Sequence, residues 1–253
     1  MKKITRFYKN IVLHLKPKIN VDKILNNFNS LDEIFNYFGT DKGTNVKNQY
    51  DKNSNLVIGH GFAKFYEKHL LSFKNQNFDL LEIGTWRGAS SAAFAIYFPK
   101  ANIYGVDKNF KFSYKSKRIK FINCDLTVEK EFKELRKFID NKKFKIIIDD
   151  GSHILTHIIK NLKFFIKKVE SDCYYIIEDF NAPKDQIHLN DSNGKEIFIE
   201  EMFTKIKNKE YFESEILSKE DQSYLFENIE EIYTYEGNLK KPLSSNIAFI
   251  KKK

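Results

Sequence analysis

The chain has 253 residues, 42% of them hydrophobic and 15% aromatic, with 24 Phe, 13 Tyr and only 4 Pro. This is enough for one large core; it excludes a chain disordered throughout, and no repeat or Ser/Gly linker signals a second independent domain. Lys and Arg number 43 against 34 Asp and Glu, a formal charge of +9, but the lysines are spread along the whole chain, which favours a solvated surface over a nucleic-acid or membrane-binding face.

The opening stretch, MKKITRFYKNIVLHLKPK, is basic. It does not read as a secretory signal, because its apolar run 11–15 is short, is broken by His14 and lacks a small-residue cleavage site. No segment approaches the ~20 apolar residues that cross a bilayer. Residues 1–60 read as a helical N-terminal extension with a cap loop, and 61–253 as the main domain. Within the extension, SLDEIFNYF carries Ser30 and Glu33 at capping-box spacing, and GTDKGTN follows as a loop with two glycines. GFAKFYEKHLLSF is a second amphipathic helix.

From Phe78 the pattern alternates. FDLLEIG, NIYGVD, IKFINCD, FKIIIDD and CYYIIEDF read as buried strands. ASSAAFAIYF, VEKEFKELRKFI and ILTHIIKNLKFFIKKV read as the helices between them. Such alternation predicts an α/β fold with a largely parallel sheet and helices on both faces. Residues 181–223 are polar and less regular and are expected to form an insertion over one edge. IEEIYTYEG and SNIAFIKK have no helix between them, which predicts an antiparallel hairpin closing the sheet. Cys124 and Cys173 lie far apart in apolar runs and read as buried thiols of a reducing compartment, with the cytosol as the default.

In open α/β sheets ligands bind beyond the carboxyl ends of the strands. There the sequence gathers Glu82, Asp107, Asp125, Asp149, Asp150, Glu178 and Asp179, each closing a strand. The first turn, EIGTWRGAS, has Gly84 and Gly88 but places Trp86 where a dinucleotide fingerprint needs a glycine, which disfavours a pyrophosphate and leaves room for a nucleoside. Asp107 is placed to take two ribose hydroxyls, and Asp125 to accept from an adenine amino group.

The series LLEIGTWRGAS, IYGVD and FINCD resembles the class I S-adenosylmethionine-dependent methyltransferases. The resemblance runs from about Phe78 to the C-terminal hairpin. It implies a Rossmann-like, seven-stranded, mostly parallel sheet with an antiparallel last strand. It also implies a cofactor site at Glu82, Gly84, Thr85, Arg87, Gly88, Asp107, Asp125 and Asp149. Arg87 would either pair the cofactor carboxylate or cover the sheet edge. Asp149 would help a metal, cap the next helix or hold the cofactor.

In that fold strands four and five are neighbours, about 4.8 Å apart, so Asp150 meets Glu178 and Asp179. Three carboxylates so placed need protonation or a cation between them. Hard oxygen ligands favour Mg²⁺ (or Mn²⁺ or Ca²⁺) over zinc. A zinc reading of HILTH, with His153 and His157 four residues apart, lacks a HExxH glutamate, and His157 fits the apolar pattern of its helix. His153, at the helix start, is placed to take a proton from a hydroxyl that a metal has acidified. FGTDKGT, HGFAKFYEKHL, IDDGSH and IIEDF together resemble the metal-dependent sugar O-methyltransferases of natural-product glycosides and surface polysaccharides. That resemblance implies Asp150, Glu178 and Asp179 as metal ligands, Asp150 and His153 as catalytic residues, and a free or nucleotide-linked sugar as acceptor. The alternatives are a methyltransferase of aromatic diols and, less favoured, one that modifies RNA; DNA is not indicated. The Phe- and Tyr-rich surface leaves a homo-oligomer open.

Overall fold

The computed structural model describes residues 17–47, 56–109, 111–241 and 243–253. The basic opening stretch, up to residue 16, lies outside them. In chain order the elements begin with β1 (Ile19–Asn20), α1 (Leu31–Phe38), β2 (Asn45–Lys47), β3 (Leu56–Ile58) and α2 (Ala63–Leu70). Next come β4 (Asp79–Ile83), α3 (Ala89–Tyr97), β5 (Asn102–Asp107), β6 (Tyr114–Lys115), β7 (Ile119–Asn123) and α4 (Glu129–Phe138). The rest are β8 (Phe144–Asp149), α5 (Leu155–Phe165), β9 (Val169–Glu178), α6 (Ala182–Asp185), α7 (Ile199–Asn208), α8 (Lys219–Asn228), β10 (Ile229–Glu236) and β11 (Asn246–Lys252).

The main sheet has seven strands in the order β10-β11-β9-β8-β4-β5-β7. β4, β5, β7, β8 and β9 are mutually parallel, and β11 runs antiparallel to both β9 and β10. The antiparallel hairpin that the sequence pattern predicts does close the sheet, and within it the last strand of the chain is slotted between its hairpin partner and the parallel strands. The order reverses at β4, whose neighbours are β5 and β8, so the carboxyl ends of β4 and β8 flank a crevice.

Strand periodicity decides which side chains meet which helices. Tyr174, Ile176 and Glu178 face one layer, where α1, α2 and α3 join through edge-to-face contacts of Phe35, Tyr66 and Phe94, and Tyr66 reaches Phe249 of β11. Tyr175 and Ile177 face the other layer, in which Phe132 of α4 meets Phe164 of α5, and Lys163 of α5 binds Asp221 of α8 at 2.7 Å. Ile146, Ile147, Ile148, Ile176 and Ile177 are wholly buried, which explains why these strands read as continuous apolar runs.

Two features depart from the sequence reading. The stretch expected to be irregular, 181–223, carries α6, α7 and the start of α8. α7 buries Ile199, Met202, Phe203 and Ile206, a helical stripe diluted by the lysines and glutamates between them, and Ser218 and Asp221 form a full capping box at α8. At α1, Ser30 accepts from Glu33 N as expected, while the Glu33 carboxylate takes Asn29 N, one residue before the cap. Cys124 and Cys173 are free and buried, and burial pushes both thiols up to about 11. No helix among the described residues is long and apolar enough to cross a membrane.

Candidate active site

The crevice opens into a cavity of about 440 Å³. It is lined by the turn after β4, by Val46 and Val57 of the β2–β3 hairpin, by residues 39–42 before it, and by Asp150 and His153. Gly84 is where the turn and the end of β8 touch. A Cβ there would stand 1.8 Å from the Asp150 carbonyl oxygen, and φ is +87°, so only glycine lets the two strand ends close up. Asp150 N donates to Ile83 O at 2.9 Å, fixing the Asp150 backbone against β4.

The expected cofactor residues divide into two groups. Gly84, Thr85, Trp86 and Arg87 line the cavity, with the Arg87 guanidinium 4.7 Å from the Trp86 ring centre. Glu82, Gly88, Asp107, Asp125 and Asp149 are not among the lining residues. Glu82 is wholly buried; it accepts from Ser91 Oγ at 2.5 Å, and Ser91 in turn meets Thr85 Oγ1 at 2.7 Å, while Glu82 Oε1 has no partner. Burial raises its pKa against the pull of Lys42 and the hydroxyls. Gly88 caps α3. Asp107 accepts from Trp86 N at 2.7 Å and Asn109 N at 2.6 Å, so it shapes the turn that carries Trp86. Asp125 accepts from both N and Oγ1 of Thr127.

Asp149 and Asp150 part company. The Asp149 side chain goes to the α5 layer, where Asn161 Nδ2 donates to it at 3.1 Å and Tyr175 OH at 2.9 Å; burial nonetheless lifts its pKa to about 6. Asp150 turns to the cavity. Its Oδ1 lies 3.6 Å from His153 Nε2, and His153 Nε2 lies 4.0 Å from Asp179 Oδ2. Asp150, His153 and Asp179 can each offer one ligand atom within 4.8 Å of the others. His153 and Asp179 both have positive φ, 55° and 51°, a costly conformation for non-glycine residues that marks over-determined sites. His157 is half-buried one helical turn on, with Nδ1 2.8 Å from Ser152 Oγ, and takes no place in the cluster.

Glu178, on the layer opposite Asp149, meets groups the sequence did not single out for it. Lys42 Nζ stands 2.7 Å from Glu178 Oε1 and 2.5 Å from Asp150 Oδ2, and Tyr66 OH donates to Glu178 Oε1. Burial works against the Lys42 ammonium, and Asp150 and Glu178 outweigh it, so Lys42 is held charged well above the ordinary lysine range. Burial pushes the Asp179 carboxyl well up, and Asp150 and Asp41 push it further. Asp179 Oδ1 and His60 Nδ1 are buried without hydrogen-bond partners, 3.4 Å apart. The sequence pointed to Lys42 only through its loop: it lies between the two glycines of GTDKGTN, within FGTDKGT, one of the stretches that carry the family resemblance.

No family model matches the chain. The mycinamicin VI 2''-O-methyltransferase of Micromonospora griseorubida is 33% identical over 129 residues, which cover 47% of this chain and 31% of that protein. The ribosomal RNA small subunit methyltransferase G of Mycoplasma mobile is 30% identical over 159 residues, covering 60% of this chain and 64% of that one. Among solved structures, the MycE methyltransferase of the mycinamycin pathway, in complex with Mg, SAH and mycinamycin VI, superposes with a TM-score of 0.62 at 23% identity, over 90% of this chain and 55% of that one. The fold is therefore that of the class I S-adenosylmethionine-dependent methyltransferases. The chain spans about a third of the length of the sugar O-methyltransferase it matches in sequence, and about half of the MycE chain.

Proposed function

We propose that this chain is an S-adenosylmethionine- and divalent-metal-dependent O-methyltransferase acting on a sugar hydroxyl. The observation that carries the reading is the convergence of Asp150, His153 and Asp179, the first two of which line one cavity with the Gly84 turn. The residues suit a hard cation: two carboxylates within reach of each other, a third in Glu178 beside them, and a buried Asp179 oxygen with no partner. Asp150 and Asp179, with Glu178, would hold the ion. When bound, it would lower the pKa of a coordinated hydroxyl and favour a vicinal diol. S-adenosylmethionine would supply the electrophilic methyl.

The chain's own residues supply the remainder. His153 Nε2 accepts the acceptor's hydroxyl proton, and Asp150 and Asp179, 3.6 and 4.0 Å from that nitrogen, stabilise the charge it gains. The Gly84 turn and Trp86 receive the cofactor, with Trp86 fixed through its backbone by Asp107. Val46 and Val57 of the hairpin line the cavity and give it an apolar side. Residues 181–223, which follow β9, would recognise the acceptor, and Asp191 already ties this segment to the start of α5 through Thr156 N and Oγ1. A sugar of surface polysaccharide or glycoside biosynthesis, free or nucleotide-linked, fits this reading, and the free buried thiols suit the cytosol. The partial likeness to a ribosomal RNA methyltransferase favours RNA as the second reading.

The test is methyl transfer from S-adenosylmethionine to a panel of glycosides, nucleotide sugars, catechols and RNA. Transfer to a sugar, lost in EDTA and regained with Mg²⁺, is expected. Full activity in chelator would sink the metal role, and transfer confined to catechols or RNA would replace the acceptor.

A further inference from the structure

Lys42 is the one Lys or Arg that is buried among the described residues. Its side chain is 1% exposed, and its ammonium touches two carboxylates, Asp150 just past the end of β8 and Glu178 at the end of β9. It is delivered rigidly. His60 N donates to Asp41 O at 2.6 Å, Phe62 N to Lys42 O at 2.8 Å and Gly61 N to Gly43 O at 3.0 Å. This short ladder pins residues 41–43 against 60–62, directly below the β2–β3 hairpin. The packing is close enough that a Cβ on Gly59 would stand 2.1 Å from Gly43 O. Across the chain, Thr44 N and Oγ1 both donate to Asp32 at the start of α1.

Its contacts leave part of each environment open. Lys42 takes Asp150 Oδ2, while Asp150 Oδ1 faces His153; Asp179 makes no ion pair with Lys42. Were all three carboxylates ionised around a bound ion, they and the Lys42 ammonium would sum to −2, which one divalent ion would neutralise. Without the ammonium, three carboxylates would share this nearly dry site, a state whose repulsion only protonation or a tightly held cation relieves.

We propose that Lys42 is the resident counter-cation of the metal site: it holds the inner oxygens of Asp150 and Glu178, keeps the cluster folded when no divalent ion is bound, and so makes the ion exchangeable. This rests on the reading of Asp150, Glu178 and Asp179 as a divalent-cation site. Lys42 is a positioning residue that acts through the carboxylates it grips.

The experiment uses the full chain as wild type, Lys42→Met and Lys42→Arg. Mn²⁺ binding is titrated by electron paramagnetic resonance, and Tm is read in EDTA and in Mn²⁺. Lys42→Met is expected to bind Mn²⁺ at least ~10-fold more tightly, since a repelling charge has been removed within a few ångströms of the ion. Its Tm is expected to drop in EDTA and to rise with Mn²⁺ by more than the wild type's does. Lys42→Arg keeps the charge and is expected to bind Mn²⁺ more nearly as the wild type does. Should Lys42→Met be unfolded in EDTA, Mn²⁺ must restore its far-ultraviolet circular dichroism; failure to do so overturns the proposal. Equal or weaker Mn²⁺ binding by Lys42→Met, against a wild type that binds, overturns the role of Lys42 alone. A wild type that binds no Mn²⁺ overturns the metal reading, and the role of Lys42 with it.

Discussion

Two adjacent carboxylates, Asp149 and Asp150, sit in networks of opposite character. Asp149 is closed: 3% exposed, held by Asn161 and Tyr175. Asp150 is open: half of it is gripped by Lys42, and half faces an imidazole and the cavity. The difference follows from strand geometry. Asp149 is the last residue of β8 and obeys its alternation, whereas Asp150 has left the strand and is steered by the Gly84 contact. A satisfied buried network specifies the fold, and a partly satisfied one with strained backbone is poised to bind something.

The largest effect that would break this contrast is on turnover. His153→Ala is expected to lower kcat by ~10²–10⁴ and leave cofactor affinity nearly intact, because it removes a proton acceptor and no packing. Its Tm should stay close to wild type, since the side chain is partly exposed. Single-turnover methyl transfer and calorimetric cofactor titration check both halves. A large loss of stability would place His153 with the closed network instead.

The contrast was only half legible in the sequence. Strand ends and their acids could be read, because apolar runs of buried parallel strands stop abruptly at Asp149, Glu178 and Asp107. Partners were not, because they come from elsewhere in the chain. Lys42 lies in a polar loop, where a lysine is ordinarily solvated; its burial arises only when the ladder to residues 60–62 forms. Tyr66 sits in an amphipathic helix and reads equally well as packing, and it both packs on Phe94 and bonds Glu178. Asn161 and Tyr175 gave no signal, since a polar residue on a buried helix or strand face declares its purpose only with its partner in view.

The converse variant probes the closed side. Asp149→Ala would strand the Tyr175 hydroxyl and the Asn161 amide in the core, at about 1–3 kcal/mol for each orphaned group, so a loss of roughly 4 kcal/mol in urea unfolding is expected. Turnover per folded molecule should fall far less than in His153→Ala. A variant that kept its stability and lost metal or cofactor binding would move Asp149 into the site.

A smaller, pH-dependent effect sharpens the same point. The Asp149 pKa is raised in the folded protein to about 6, against about 4 for an unfolded aspartate. The native state therefore binds the proton more tightly than the unfolded state. The contribution of this group to stability is full below about pH 4 and is lost as the pH rises through 6. Asp149→Asn is close to isosteric, can still accept from Tyr175 and does not titrate. Its stability relative to wild type should accordingly improve by about 2–3 kcal/mol between pH 4 and pH 7, and hold level above that. Urea titrations of both proteins across this range measure it. A difference that stayed flat would mean that Asp149 is ionised throughout, its charge met by donors beyond Asn161 and Tyr175, and the closed network would then have to be redrawn as one built to hold a carboxylate.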